Sequence, residues 1–200
     1  MDNKIKKNIE DSIRLKNNLL DTNYINQLTE IGNVMVDTIK NKRKLIFCGN
    51  GGSAADAQHL TAELLVRLKP NVNRASIPAI TLAQDLSTIT ACGNDFGFDF
   101  LFERNLKALG QKDDLLICIS TSGNSKNLVL AAEYALKVGI KVVGFLGGKG
   151  GLLKDKCNYS IIIPSSDTAR IQEAHITIGH ALMEYLEDNL LKLKFISKIS

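Results

Sequence analysis

No run in this 200-residue chain approaches the roughly 18 consecutive apolar residues that a membrane-spanning helix requires. The N-terminal stretch MDNKIKKNIEDS lacks the apolar core of a secretory signal. The chain is therefore expected to be cytoplasmic, with no membrane partner. Cysteine is scarce: Cys48, Cys92, Cys118 and Cys157 form no C-x-x-C pair. Cys48 and Cys118 fall inside apolar, strand-like runs, where a thiol serves as a small hydrophobe, so no disulfide framework is expected. Strong charge is lacking too. The net charge is +4, and the excess sits at Lys4, Lys6 and Lys7, in NKRK at 41–44, and at Lys192, Lys194 and Lys198. These basic runs are short and carry no interleaved aromatics, so they read as solvated exterior and no nucleic-acid partner is expected.

What remains is an ordinary globular composition, 44% apolar and 23% charged. Its length suits one well-buried core. The first forty residues read as two amphipathic helices. Ile5, Ile9, Ile13 and Leu19–Leu20 mark one stripe; Ile25, Leu28, Ile31, Met35 and Ile39 mark the next, capped by Asp21 or Thr22. With no strand nearby to cover them, residues 1–42 are expected to form an oligomerisation segment ahead of a domain over 43–195. From residue 44 strands and helices alternate. Strands are expected at 44–49, 77–82, 114–120, 140–147 and 158–164. Helices should lie near 53–66, 84–92, 125–138 and 168–193, with a turn at GNDFG (93–97) leading into another helix that ends near 108. Continuously apolar strands separated by helices imply a five-stranded parallel sheet in a doubly wound α/β layer. Ligands of such sheets bind beyond the carboxyl ends of the strands, where strand order reverses.

Two glycine- and serine-rich turns follow strand ends. GNGGSAADA (49–57) formally satisfies G-x-G-x-x-A, but a dinucleotide site also needs an acid ending the next strand, and only Asp85, beyond it, is available. No G-x-x-x-x-G-K-[ST] occurs, which excludes a nucleotide P-loop. An anion cradle at a helix N-terminus remains. STSGNSKN (120–127) adds the hydroxyls of Ser120, Thr121, Ser122 and Ser125, which suit a phosphate monoester. Either turn alone could be a helix cap. Two at one sheet edge favour phosphate binding.

Beyond the first loop, His59 and Glu63 are spaced i,i+4 on one helix face. In the last helix Gln172 and His180 lie eight residues apart, about 80° around the axis. Such a set could transfer protons at carbons next to a carbonyl, or hold a divalent metal: two histidines and one glutamate match a common catalytic zinc set. The two uses compete for Glu63, because a carboxylate held tightly by metal is a poorer base.

NGGSAADAQHLTAEL, ACGNDFG, STSGNS and TARIQEAHITIGHAL, in this order over roughly residues 20–190, together resemble the phosphoheptose isomerases of the sugar-isomerase (SIS) domain family. The resemblance implies a flavodoxin-like sheet, a homotetramer and one Zn2+ per subunit. It also implies conversion of sedoheptulose 7-phosphate to D-glycero-D-manno-heptose 7-phosphate through an enediol, the first step towards nucleotide-activated heptose for surface polysaccharide. It places substrate contacts at Asn50, Gly51, Gly52, Asn94, Asp95, Ser120, Thr121, Ser122 and Ser125, with Ser53, Glu63 and Gln172 beside them. The metal set is His59, Glu63, Gln172 and His180, and Glu63 and His180 form the acid–base pair. Arg67 and Arg170 lie in matching segments, as surface ion pairs or, for Arg170, at the site. His175 is expected to be structural. Met183 stands where a small residue is expected. A non-catalytic SIS module that binds a replication initiator, or an isomerase of another phosphosugar, are the competing readings.

Overall fold

The structure, a computed structural model, describes residues 3–197. Lys198, counted above among the basic residues, lies outside them. Helices α1 (Lys4–Asn18) and α2 (Thr22–Lys40) precede strand β1 (Leu45–Gly49) and helix α3 (Gly52–Leu65). Strand β2 (Ala79–Thr81), helices α4 (Leu86–Asp95) and α5 (Leu101–Leu109), and strand β3 (Leu115–Ser120) follow. Helix α6 (Lys126–Lys137), strands β4 (Lys141–Gly147) and β5 (Tyr159–Ile163), and helix α7 (Thr168–Lys192) complete the chain.

All four strand pairings are parallel, in the order β2-β1-β3-β4-β5. This is the flavodoxin-like doubly wound sheet, and its order reverses between β1 and β3. Residues alternate between the two faces of each strand. Leu45 and Phe47 join α1, α2, α3 and α7 in one apolar layer, while Ile46 and Cys48 join α4, α5 and α6 in the other. Cys48 and Cys118 are register partners in that second layer, their sulfurs 3.6 Å apart and free. The hydrogen bond with Cys48, together with burial, raises the Cys118 thiol well above its ordinary range, and burial raises that of Cys157, so both remain uncharged packing groups.

Three boundaries differ from the sequence expectation. The second strand is confined to three residues: Pro78, just before it, has no N–H for the ladder, and Ala83, just after, takes φ 56°. The helix expected at 84–92 runs on through Gly93, Asn94 and Asp95, so the GNDFG turn begins only at Phe96. Asp85 caps that helix, its carboxylate accepting the Thr88 amide at 2.7 Å, and this bond lowers its pKa. Helix α2 turns its stripe of Ile31, Met35, Val36 and Ile39 into the domain's own core. Asp21 caps it, accepting the Asn23 amide at 2.9 Å. Helix α1 buries only Leu15 and leaves Ile5, Ile9 and Ile13 exposed. Among the described residues no helix is long and apolar enough to cross a membrane.

Candidate active site

Both glycine- and serine-rich loops emerge at the strand-order switch. Gly49 ends β1 and Ser120 ends β3, and these strands are neighbours. Helix α3 starts behind Gly51, whose φ of 56° turns the chain sharply, and no side chain caps it. Helix α6 starts behind Ser125 and also lacks a side-chain cap. Two helix N-termini thus present first-turn amides and positive dipole ends at one place. Within the second loop the Ser120 hydroxyl accepts the Gly123 amide at 3.0 Å, and the Ser122 hydroxyl accepts that of Asn124 at 3.2 Å. Thr121 is half-buried beside them, and Ser53 is buried in the first turn of α3.

The helix that holds the first loop also carries His59 and Glu63, and α7 crosses it. Gly179 permits the close approach: a Cβ there would lie 2.8 Å from the Leu60 side chain. His180, the next residue, meets His59 with the two Nε2 atoms 2.7 Å apart. Glu63 Oε1 lies 3.3 Å from His59 Nε2. One donor atom from each of His59, Glu63 and His180 falls within 4.8 Å of the others. Two imidazole nitrogens and a carboxylate oxygen that converge in this way have the donor chemistry of a catalytic divalent-metal site, so the residues fit such an ion. Gln172 stands two turns earlier on α7 and packs on the first loop, where a Cβ at Gly52 would meet its amide nitrogen at 2.4 Å.

Asn94 and Asp95 lie outside the His59–Glu63–His180 convergence, on helix α4. They sit on the exposed last turn of α4, bonded to each other at 2.7 Å. Arg67 is exposed, and Arg170 pairs with Glu173 and donates to the Asn8 carbonyl, tying α7 to α1. His175 is buried with Nε2 3.1 Å from the Leu146 carbonyl, and burial lowers its pKa to about 4. Met183 is buried in the core. Two polar residues at the site have no counterpart among the sequence candidates. Asp56, one turn before His59, has its pKa raised by burial against the opposing pull of His59 and His180, and its Oδ2 is buried without a partner. Its i,i+3 spacing from His59 was a visible signal. Asn127, on the first turn of α6, bonds Asn50 across the switch point.

The sequence profile of the SIS domain matches residues 9–147. A phosphoheptose isomerase from Leptospira biflexa serovar Patoc is 52% identical over 96% of this chain and 98% of its own length. The chain belongs to the phosphoheptose isomerase family. Solved structures of this family agree with the fold. A phosphoheptose isomerase from Francisella tularensis superposes with a TM-score of 0.87 at 37% identity, over 92% of this chain and 97% of that one. One from Neisseria gonorrhoeae gives 0.84 at 35%, with the same coverage. Membership in the phosphoheptose isomerases makes the chain an isomerase.

Proposed function

We propose that this member of the family interconverts sedoheptulose 7-phosphate and D-glycero-D-manno-heptose 7-phosphate. The observation that carries the reading is one sheet edge with two uncapped helix N-termini and the His59–Glu63–His180 convergence beside them. A non-catalytic scaffold has no use for that convergence. The hydroxyls of Ser120, Thr121, Ser122 and Ser125 hold the phosphate together with the amides of Asn50, Gly51, Gly52 and Ser53, which also reach the adjoining sugar hydroxyls. Glu63 removes a proton from C1 of the ketose while His180 donates one to O2, giving the enediol. Return of the proton from Glu63 to C2, with the O1 proton passing to His180, yields the aldose. Gln172 orients the reacting end, and Asn94 and Asp95 complete the substrate set. A zinc ion held by His59, Glu63, Gln172 and His180, one per subunit, supplies Lewis-acid polarisation of the sugar oxygens.

Supporting the wider reading, the outward stripe of Ile5, Ile9 and Ile13 suits a homotetramer built through helix α1, within the segment 1–42. The product enters nucleotide-activated heptose synthesis in the cytoplasm. The test is turnover of sedoheptulose 7-phosphate by zinc-loaded and chelator-treated protein, with Glu63→Gln in parallel. We expect a loss of at least about a hundredfold in kcat for Glu63→Gln, the scale of a removed general base. Chelation should abolish turnover and zinc should restore it. A Glu63→Gln enzyme with most of its turnover would remove Glu63 from the chemistry. Full activity at zero metal content would reduce zinc to a structural ion.

A further inference from the structure

A phosphate site built from two loops needs the loops held at a fixed separation, and the structure shows what holds these two. Asn50 Nδ2 donates to Asn127 Oδ1 at 2.9 Å, and Asn127 Nδ2 donates back to Asn50 Oδ1 at 3.0 Å. The residues are 77 positions apart, and Asn127 is 2% exposed. Beyond the strand ladder, these are the only hydrogen bonds between the two loops among the described residues. A buried primary amide without a partner is costly, and asparagine is a weak helix former. Asn127 in the first turn of α6 is therefore explained by its partner across the switch point, not by its own helix.

The other flank of the second loop is fixed differently. The Leu153 amide donates to the Gly123 carbonyl at 2.9 Å, and the Leu152 amide donates to Asn124 Oδ1 at 3.0 Å. Gly123, at φ 66°, packs so closely that a Cβ would lie 1.9 Å from the Gly150 carbonyl oxygen. The β4 side is thus held by backbone packing and two backbone amides, one of them donating to Asn124 Oδ1, and the β1 side by one reciprocal amide pair. Removing the pair frees one side of the cradle and leaves the rest in place.

We infer that Asn127 is a positioning residue: through Asn50 it fixes the distance between the two loops and so sets the affinity for the substrate's phosphate. The pair also commits the Asn50 side chain, so Asn50 serves the ligand through its backbone. This rests on the phosphate-binding role of the loops proposed above.

The test measures KM and kcat for sedoheptulose 7-phosphate, and binding of inorganic phosphate by calorimetry, on the zinc-loaded enzyme. The variants are Asn127→Ala, Asn50→Ala and their combination. Loss of a buried hydrogen-bonded pair is expected to raise KM and the phosphate Kd about tenfold, with kcat changed far less and zinc content unchanged. The double variant should be no weaker than the worse single one, because both remove the same pair. Asn127→Asp supplies a conservative control that a packing role would not move. Protonated, its carboxyl can donate to Asn50 and accept from it as the amide does, so its Kd relative to wild type should recover as pH falls. It also decides the matter if Asn127→Ala fails to fold. A folded Asn127→Ala protein with a phosphate Kd within twofold of wild type, or additive single effects, overturns the inference. So does an Asn127→Asp ratio that is flat with pH. Wild type that binds phosphate but turns over no heptose phosphate refutes the substrate reading alone, and the Kd ratios still decide the role of Asn127. Wild type that binds neither overturns both.

Discussion

The three histidines occupy two kinds of surroundings, and their chemistry divides accordingly. His59 and His180 face each other at the protein's edge beside Glu63, where ring nitrogens can meet solvent, substrate or metal. His175, only five positions before His180, is turned by the helix into the core behind β4. Its Nε2–H is used by the Leu146 carbonyl, while Nδ1 is buried without a partner and has no route to a stable proton. Burial lowers its pKa from 6.5 to about 4. Above pH 6.5 both folded and unfolded chains carry a neutral His175, and it adds no pH dependence. Below 6.5 the unfolded chain takes up a proton that the folded chain refuses, so stability falls with pH until about 4. Over that window the loss amounts to about 3 kcal/mol. Urea unfolding of wild type and His175→Gln should show wild type losing about 2 kcal/mol more than the variant between pH 7 and pH 5. Parallel profiles would show that the imidazole is not held neutral.

At the scale of elements, the site depends on α3 and α7 keeping their crossing. Helix α3 has no basic residue in its last turn, and Arg74 supplies the missing charge from the following loop. Its guanidinium donates to the carbonyls of Glu63 and Leu64 at 2.8 Å each and to Glu187 Oε2 of α7 at 2.6 Å. One buried side chain therefore closes the end of the helix that bears His59 and Glu63 and ties it to the helix that bears His180. Arg74→Met would strand the Glu187 carboxylate, at a cost of about 3–5 kcal/mol. The melting temperature should drop by about 10 °C, read by calorimetry, and zinc affinity should weaken with it. Arg74→Met with Glu187→Leu should recover most of the stability, because no charge is left unpaired. A double variant as unstable as the single one would assign the loss to packing. This pairing spans 113 residues and starts in an aperiodic loop, so nothing in the sequence announced it. The same holds for Asn50 with Asn127. Local rules reached the strands, the helix stripes and the i,i+4 pair of His59 and Glu63, because periodicity is visible along the chain. They misplaced the end of α4, where glycine and asparagine signals yielded to a helix already begun under the Asp85 cap.

The molecule as a whole is a sheet with two apolar layers, and α1 is the piece that neither layer fully claims. Helix α2 spends its apolar face inside the domain, whereas α1 turns Ile5, Ile9 and Ile13 outward at 73%, 56% and 55% exposure. Three isoleucines at four-residue steps form one stripe along a helix, and covering such a stripe removes apolar surface from water. Because α1 is joined to α7 through Arg170 and the Asn8 carbonyl, an interface formed on α1 also steadies the start of the helix that carries Gln172 and His180. The proposed tetramer is thus coupled to the site by a short structural route. Ile9→Glu with Ile13→Glu should leave the monomer folded, since exposed positions tolerate substitution within about 0.5 kcal/mol. Light scattering after gel filtration should then give a particle smaller than four chains of 21.9 kDa. Catalytic turnover should fall along with the assembly and recover at protein concentrations that restore it. A double variant with the wild-type mass would place the interface elsewhere than α1. A smaller particle with full turnover would confirm the interface and separate it from the site.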